Sequence, residues 1–204
     1  MTQYALPADD KVITNWAEGA GDADADHFDE LDEGFGVGRG SGSGPDDATT
    51  YWVTTDEGTN LLRDGLISPD DPGVHTGHKY RTRNRKNSAN GRQLNATITL
   101  FGPDEVASQL FTNIDNVWTT REDTLSEAEA GNITDYTDLE MQTRIIETGG
   151  GTPRIGWESA HEFECPDVAG GPAGVKTIND LAIGSIKTIN DVAIALVKTI
   201  NDAA

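Results

Sequence analysis

The chain of 204 residues carries 35 Asp and Glu against 15 Lys and Arg, a formal net charge of −20, with 35% hydrophobic residues and one cysteine. Such a surface repels phosphate-rich partners, which argues against nucleic acid and against anionic membranes. Cys165 alone excludes an internal disulfide, and no apolar run approaches the roughly 20 residues that a membrane-spanning helix needs.

In chain order, the first ten residues hold neither a basic cluster nor an apolar stretch, so no signal peptide is expected and the chain is read as made in the cytoplasm. Strands are expected at Val12 to Trp16, Tyr51 to Thr55 and His78 to Arg85. Leu94, Ala96, Ile98 and Leu100 alternate with Asn95, Thr97 and Thr99, the period-two signature of a half-buried strand. Asp104 to Gln109, after Pro103, suggests a short helix, and a further strand is expected around Val117 to Thr120. A second helical turn falls at Glu127 to Ala130, where Ser126 can cap and Glu129 completes a capping box.

Leu139, Met141, Thr143 and Ile145 alternate with Glu140, Gln142 and Arg144. Ile155, Trp157, Ser159, His161 and Phe163 alternate with Glu158, Ala160, Glu162 and Glu164, which predicts three carboxylates on one face and His161 as a satisfied core histidine on the other. Seven or eight short strands with turn-rich connections predict an all-β fold: an antiparallel, jelly-roll-like β-sandwich over residues 1–169. Residues 170–174, Gly-Gly-Pro-Ala-Gly, read as a hinge.

Residues 175–204 contain three repeats of eleven residues: Val175 to Asp180 returns as Ile186 to Asp191 and as Val197 to Asp202. Each Asn-Asp is a tight-turn candidate between β-branched segments, so a short β-repeat tail is expected rather than a helix. Its large apolar residues (Val175, Ile178, Leu181, Ile183, Ile186, Ile189, Val192, Ile194, Val197 and Ile200) belong to an element too thin to bury them within one chain. Oligomerisation or docking is the role this predicts, with itself as a partner.

Several groups of residues invite a functional reading. Asp22, Asp24, Asp26, Glu30 and Glu33 match the carboxylate spacing of a calcium loop, but His27 stands where the sharp turn needs glycine. No cofactor is expected, with Ca2+ at these five residues as the alternative. Lys79, Arg81, Arg83 and Arg85 share one face of a strand and are expected to pair with acidic strands such as the one carrying Glu158, Glu162 and Glu164. His75 and His78 lack further metal-ligating neighbours in sequence. There is no nucleophile elbow and no Cys–His pairing that would support an enzyme. Trp16, Tyr51, Trp52 and Trp118 are candidates for stacking on sugar rings, with core packing as the alternative.

The chain resembles β-sandwich virion proteins of tailed viruses of bacteria and archaea. The resemblance runs through Phe28 to Gly34, Pro45 to Tyr51, the strand His78 to Arg83, Ile98 to Gly102, Thr124 to Ala130 and Ile133 to Leu139. The tail is similar to the Lys-Thr-Ile-Asn-Gly repeats of phage structural proteins, with Asp in place of Gly. The resemblance implies a non-enzymatic component of the virus particle, displayed at a turret, decoration or tail-fibre position and assembled with other virion proteins. Together with the acidity it implies a halophilic host, whose cells would meet such a concentrated-salt surface with a screening length of only about 3 Å in 1 M salt. The alternative expectation is a carbohydrate-binding module that attaches to host-surface glycans.

Overall fold

The computed structural model describes residues 2–20, 28, 31–32, 34–35, 45, 51–54 and 58–168, together with the short segments 177–178, 181–182, 188–189 and 192–193. In 18–20, 51–53 and those last four segments it describes the backbone alone. The calcium candidates Asp22, Asp24, Asp26, Glu30 and Glu33 lie outside the described residues, as do Val175, Ile183, Ile186, Ile194, Val197 and Ile200 of the tail.

The fold is an antiparallel β-sandwich. Its strands are β1 (Thr2–Ala5), β2 (Pro7–Thr14), β3 (Trp16–Ala20), β4 (Tyr51–Thr54), β5 (Thr59–Leu66), β6 (Lys79–Lys86), β7 (Gln93–Phe101), β8 (Glu105–Phe111), β9 (Thr119–Thr124), β10 (Glu140–Thr148) and β11 (Gly156–Pro166), with one helical turn, α1 (Glu127–Ala130). One sheet runs β3-β4-β11-β6-β9, with β1 also paired to β11; the other runs β2-β5-β10-β7-β8. In the tail, β12 (Thr177–Ile178) pairs with β13 (Leu181–Ala182), and β14 (Thr188–Ile189) with β15 (Val192–Ala193). Each pairing flanks one Asn-Asp dipeptide.

The observed elements depart from the sequence expectation in four places. The single strand Val12 to Trp16 divides at Asn15, whose φ of 59° turns the chain out of β2 and into β3 in the other sheet. Asp104 to Gln109 is not helical: Gly102 N donates to Asp104 O, the chain reverses, and β8 pairs with β7 from Leu100↔Ala107 to Ala96↔Phe111. Strands β1 and β5 had no prediction. Helix α1 is capped as its sequence dictates, with Ser126 accepting from Glu129 N while the Glu129 carboxylate accepts from Ser126 N.

The interior is two apolar clusters rather than one. Tyr80, Ile98, Leu100, Leu139, Met141, Phe163 and Cys165 belong to the first; Trp16, Leu31, Leu62, Leu94, Ala96, Ile114 and Ile145 form the second. Along each central strand the two are separated by a polar residue: Asp64 between Leu62 and Leu66 on β5, Thr143 between Met141 and Ile145 on β10. A belt of fully buried polar side chains therefore crosses the sandwich. Cys165 lies in the first cluster, where burial and then the charge of Asp167 and Asp71 push its thiol up to about 12. Native protein is accordingly expected to resist thiol reagents at pH 8, with reaction only on unfolding; rapid labelling of folded protein would contradict this packing.

Candidate functional site

The geometry of both candidate sites follows from one irregularity in β11. A bulge between Glu158 and Ala160 puts Ser159 out of register with β6, so Glu158 lies opposite Asn84 while His161 lies opposite Thr82. Residues three apart would otherwise face opposite ways. Here Glu158 and His161 both point between the sheets, and Trp157 points out. The three-carboxylate face expected from alternation is thus corrected: Glu162 and Glu164 lie on the outer face and Glu158 is in the core.

Inside, His161 Nδ1 lies 2.7 Å from Asp64 Oδ2 of the opposite sheet, and Nε2 lies 2.9 Å from Thr143 Oγ1 and 3.2 Å from Glu158 Oε1. Thr143 Oγ1 donates to Glu158 Oε1 at 3.0 Å. All these side chains are fully buried. Burial pushes the Asp64 and Glu158 carboxyls up, against the opposing pull of His161. On His161 burial favours the neutral ring, but the hydrogen bonds and charges of Asp64 and Glu158 outweigh it and raise the imidazole to about 9. The raised His161 value favours the imidazolium, with Nδ1 placed to donate to Asp64 and Nε2 to Thr143 or Glu158. It is a core histidine, as expected, but one held by two carboxylates.

The outer face of the same sheet is graded along β6. At one end Arg81 donates through Nη1 to Glu162 at 2.7 Å, and also reaches Glu122 and Glu164. This is the cross-sheet pairing predicted for the basic strand, and Lys79 joins it through Glu122 at 3.0 Å. Glu162 is completely buried and also accepts from Phe35 N at 3.0 Å. Arg81→Leu is therefore expected to destabilise the fold by about 3 kcal/mol, because it removes the guanidinium from a fully buried carboxylate. A chemical-denaturation difference below about 1 kcal/mol would show that the network is dispensable. Arg83 donates to Thr120 Oγ1 at 3.1 Å.

At the other end the row is aromatic. Trp157 is the direct cross-strand neighbour of Arg85, whose guanidinium carbon stands 3.7 Å from the Trp157 ring centroid and 5.0 Å from that of Trp118. The two indoles are 6.2 Å apart and inclined at 45°. Both are half-buried. The loop that carries Trp118 is tied to the sheet by Lys86 N donating to Asp115 O at 2.7 Å and by Thr119 Oγ1 donating to Asp115 Oδ2 and Val117 O. Exposed Val117 and Ile155 adjoin the pair in sequence. Two ring faces, braced by a guanidinium and set in a sheet, make a platform suited to an apolar ring face.

Of the other stacking candidates, Trp16 is 7% exposed and belongs to the second apolar cluster, so it is corrected to a core residue. Tyr51 and Trp52 lie in β4, where the structure describes no side chains. Trp157 was missed because alternation puts it on the same face as His161. His78 is buried with Nε2 2.7 Å from the Tyr136 hydroxyl, and among the described residues no cluster of His, Cys, Asp or Glu is arranged to hold a metal ion.

No family model matches the chain, and no curated protein does. Solved structures similar to it include a family 35 carbohydrate-binding module from Clostridium thermocellum (12% identity, 81% of this chain and 98% of that one, TM-score 0.34). A second is SGBP-B from a xyloglucan utilization locus in Bacteroides uniformis (10%, 75% and 46%, TM-score 0.41). A third is the enzymatically active domain of tailspike protein 4 of bacteriophage CBA120 (11%, 79% and 19%, TM-score 0.38). These values are too low to carry an argument about ligand or activity.

Proposed function

We propose that the chain is a non-catalytic glycan-binding sandwich whose outer-face platform, Trp118, Arg85 and Trp157, receives a sugar ring. One observation carries this reading: the two tryptophans stand side by side and half-exposed, whereas Trp16 is buried in the core. A pyranose presents an apolar C–H face that stacks on an indole, and Arg85 and the hydroxyl-bearing Thr120, opposite Arg83 on the outer face, supply polar contacts at the rim. A glycosidase reading needs two carboxylates flanking a bound sugar. Asp64 and Glu158 do converge, but on His161 in a sealed core, which favours a binder over a hydrolase.

The test is affinity electrophoresis through gels containing soluble xyloglucan, β-glucan or galactan. Retardation by at least one polymer is expected in wild type and lost in Trp157→Ala and Trp118→Ala. Migration unaffected by every polymer, or retardation unchanged in both variants, would count against the platform.

A second reading, a virion component assembled through its tail, rests on the resemblance of the repeats; the strand pairs that flank Asn179-Asp180 and Asn190-Asp191 give the tail the short β-turn units that this reading requires. Light scattering in high salt on the full chain and on a truncation ending at Gly170 tests it. A closed oligomer that reverts to a folded monomer supports assembly through the repeats; two monomers would remove its mechanism.

A further inference from the structure

We propose that the Asp64–His161–Glu158 centre is a proton-binding site coupled to the aromatic platform, so that gain or loss of one proton in the core changes how Trp118 and Trp157 are presented. The ligand role of the platform rests on the glycan reading; the coupling does not.

The two sites are back to back. Trp157 immediately precedes Glu158 on β11, and Arg85 follows Asn84 on β6, so each strand sends one residue outward to the platform and its neighbour inward to the belt. A chain of side chains joins them around the edge of the sheet. Arg121 Nε donates to Asn84 Oδ1 at 2.7 Å, and Arg121 Nη2 reaches Asp115 Oδ2 at 3.2 Å in the loop that holds Trp118. The Asn84 amide lies beside Glu158 and helps to hold that carboxyl down. Yet neither Asn84 Nδ2 nor Glu158 Oε2 makes a well-formed hydrogen bond.

That slack gives the network two arrangements. With His161 protonated, Glu158 is committed to the imidazolium and Thr143. When His161 releases a proton to solvent, the centre gains one negative charge, and beside Thr143, which already donates to Glu158 Oε1, the Asn84 amide is the donor that can turn toward it. Turning Asn84 toward Glu158 displaces its carbonyl oxygen from Arg121, and with it the tie to Asp115. The groups that face the centre are Asp64 from β5, Glu158 from β11, Thr143 from β10, and Thr82 and Asn84 from β6; Asp9 of β2 acts on Asp64 at longer range. By linkage, whatever binds the platform preferentially in one arrangement must shift the proton affinity of the centre by the same factor.

The experiment is a pH titration by NMR of the full chain, from pH 6.5 to 10, following the His161 ring nitrogens and the indole N–H signals of the tryptophans. His161 is expected to carry both ring protons at pH 7 and to titrate near pH 9. The Trp118 and Trp157 signals are expected to move with the same midpoint while buried Trp16 stays still. Asn84→Leu should keep His161 titrating, with its midpoint moved because Glu158 loses a hydrogen-bond partner, and reduce the Trp118 movement at least fivefold. A neutral His161 at pH 7 would overturn the proposal, as would indoles that ignore its titration or a transition that carries Trp16 along and so reports unfolding. If no polysaccharide binds and the signals still co-titrate, the glycan reading fails and the coupling stands.

Discussion

Replacing His161 with leucine is expected to destabilise the fold by about 3–5 kcal/mol, the largest effect of any single substitution in the belt. The change removes the one cation shared by Asp64 and Glu158, both fully buried, and leaves two carboxyls with no counter-charge between the sheets. They would take up protons at a cost that falls on the folded state alone. Replacing the whole centre by apolar residues, as in Asp64→Val, Glu158→Met and His161→Leu together, should cost far less than His161→Leu alone, since desolvation is then no longer required. Urea denaturation of the three single variants and the triple variant checks this. A triple variant as unstable as the sum of the singles would mean that the belt is held by packing and not by charge.

The same centre fixes the sign of the pH dependence. The His161 pKa is raised from 6.5 in the unfolded chain to about 9 in the fold, so its contribution is fully present below pH 6.5 and is lost as pH rises through about 9. The raised carboxyls of Asp64 and Glu158 act in the same direction, favouring the fold at lower pH. Cys165, Tyr80 and Tyr136 are also pushed upward by burial, so at the alkaline end, where the unfolded chain ionises them, they add to the same fall. Urea midpoints should therefore fall between pH 7 and 10, and the triple variant, which removes all three titrating groups, should flatten that fall. A wild-type midpoint that rises with pH across this window would contradict the assignment.

Truncating Trp157 is the second large effect. Trp157→Ala is expected to weaken glycan binding by about 2 kcal/mol, roughly thirtyfold, because it removes one stacking face and the partner that braces Arg85. Trp118→Ala removes the other face, and the two losses should not add, since both rings hold the same guanidinium. Trp16→Phe should leave affinity unchanged and act on stability instead. Isothermal titration with the polysaccharide that retards the chain best separates these outcomes.

Alternation from Leu94 to Leu100 and from Leu139 to Ile145 gave β7 and β10, because those strands pair on both edges and bury one face without interruption. The basic face of β6 and its pairing with Glu162 and Glu164 were equally legible. Strand β5 was not: Asp64 and Gly65 interrupt its apolar pattern, and only the histidine on the opposite sheet makes an inward aspartate tenable. Strand β8 has few β-branched residues and follows Pro103-Asp104, so local propensity pointed to helix and pairing with β7 overrode it. Most of the functional geometry was hidden by the bulge at Ser159. One extra residue moves Trp157 and His161 to opposite faces, which turns a presumed core tryptophan into half of the platform and assembles the buried centre. Nothing local in Glu158-Ser159-Ala160 announces it.

Glycan binding requires that a sugar contact the Trp118 and Trp157 indoles directly. The measurement is an NMR titration of the tryptophan indole N–H signals with xyloglucan, β-glucan and galactan oligosaccharides at pH 7. Saturable shifts of Trp118 and Trp157, with Trp16 unmoved, are the predicted result. Shifts absent from both platform indoles with every oligosaccharide, or shared equally by Trp16, would contradict it.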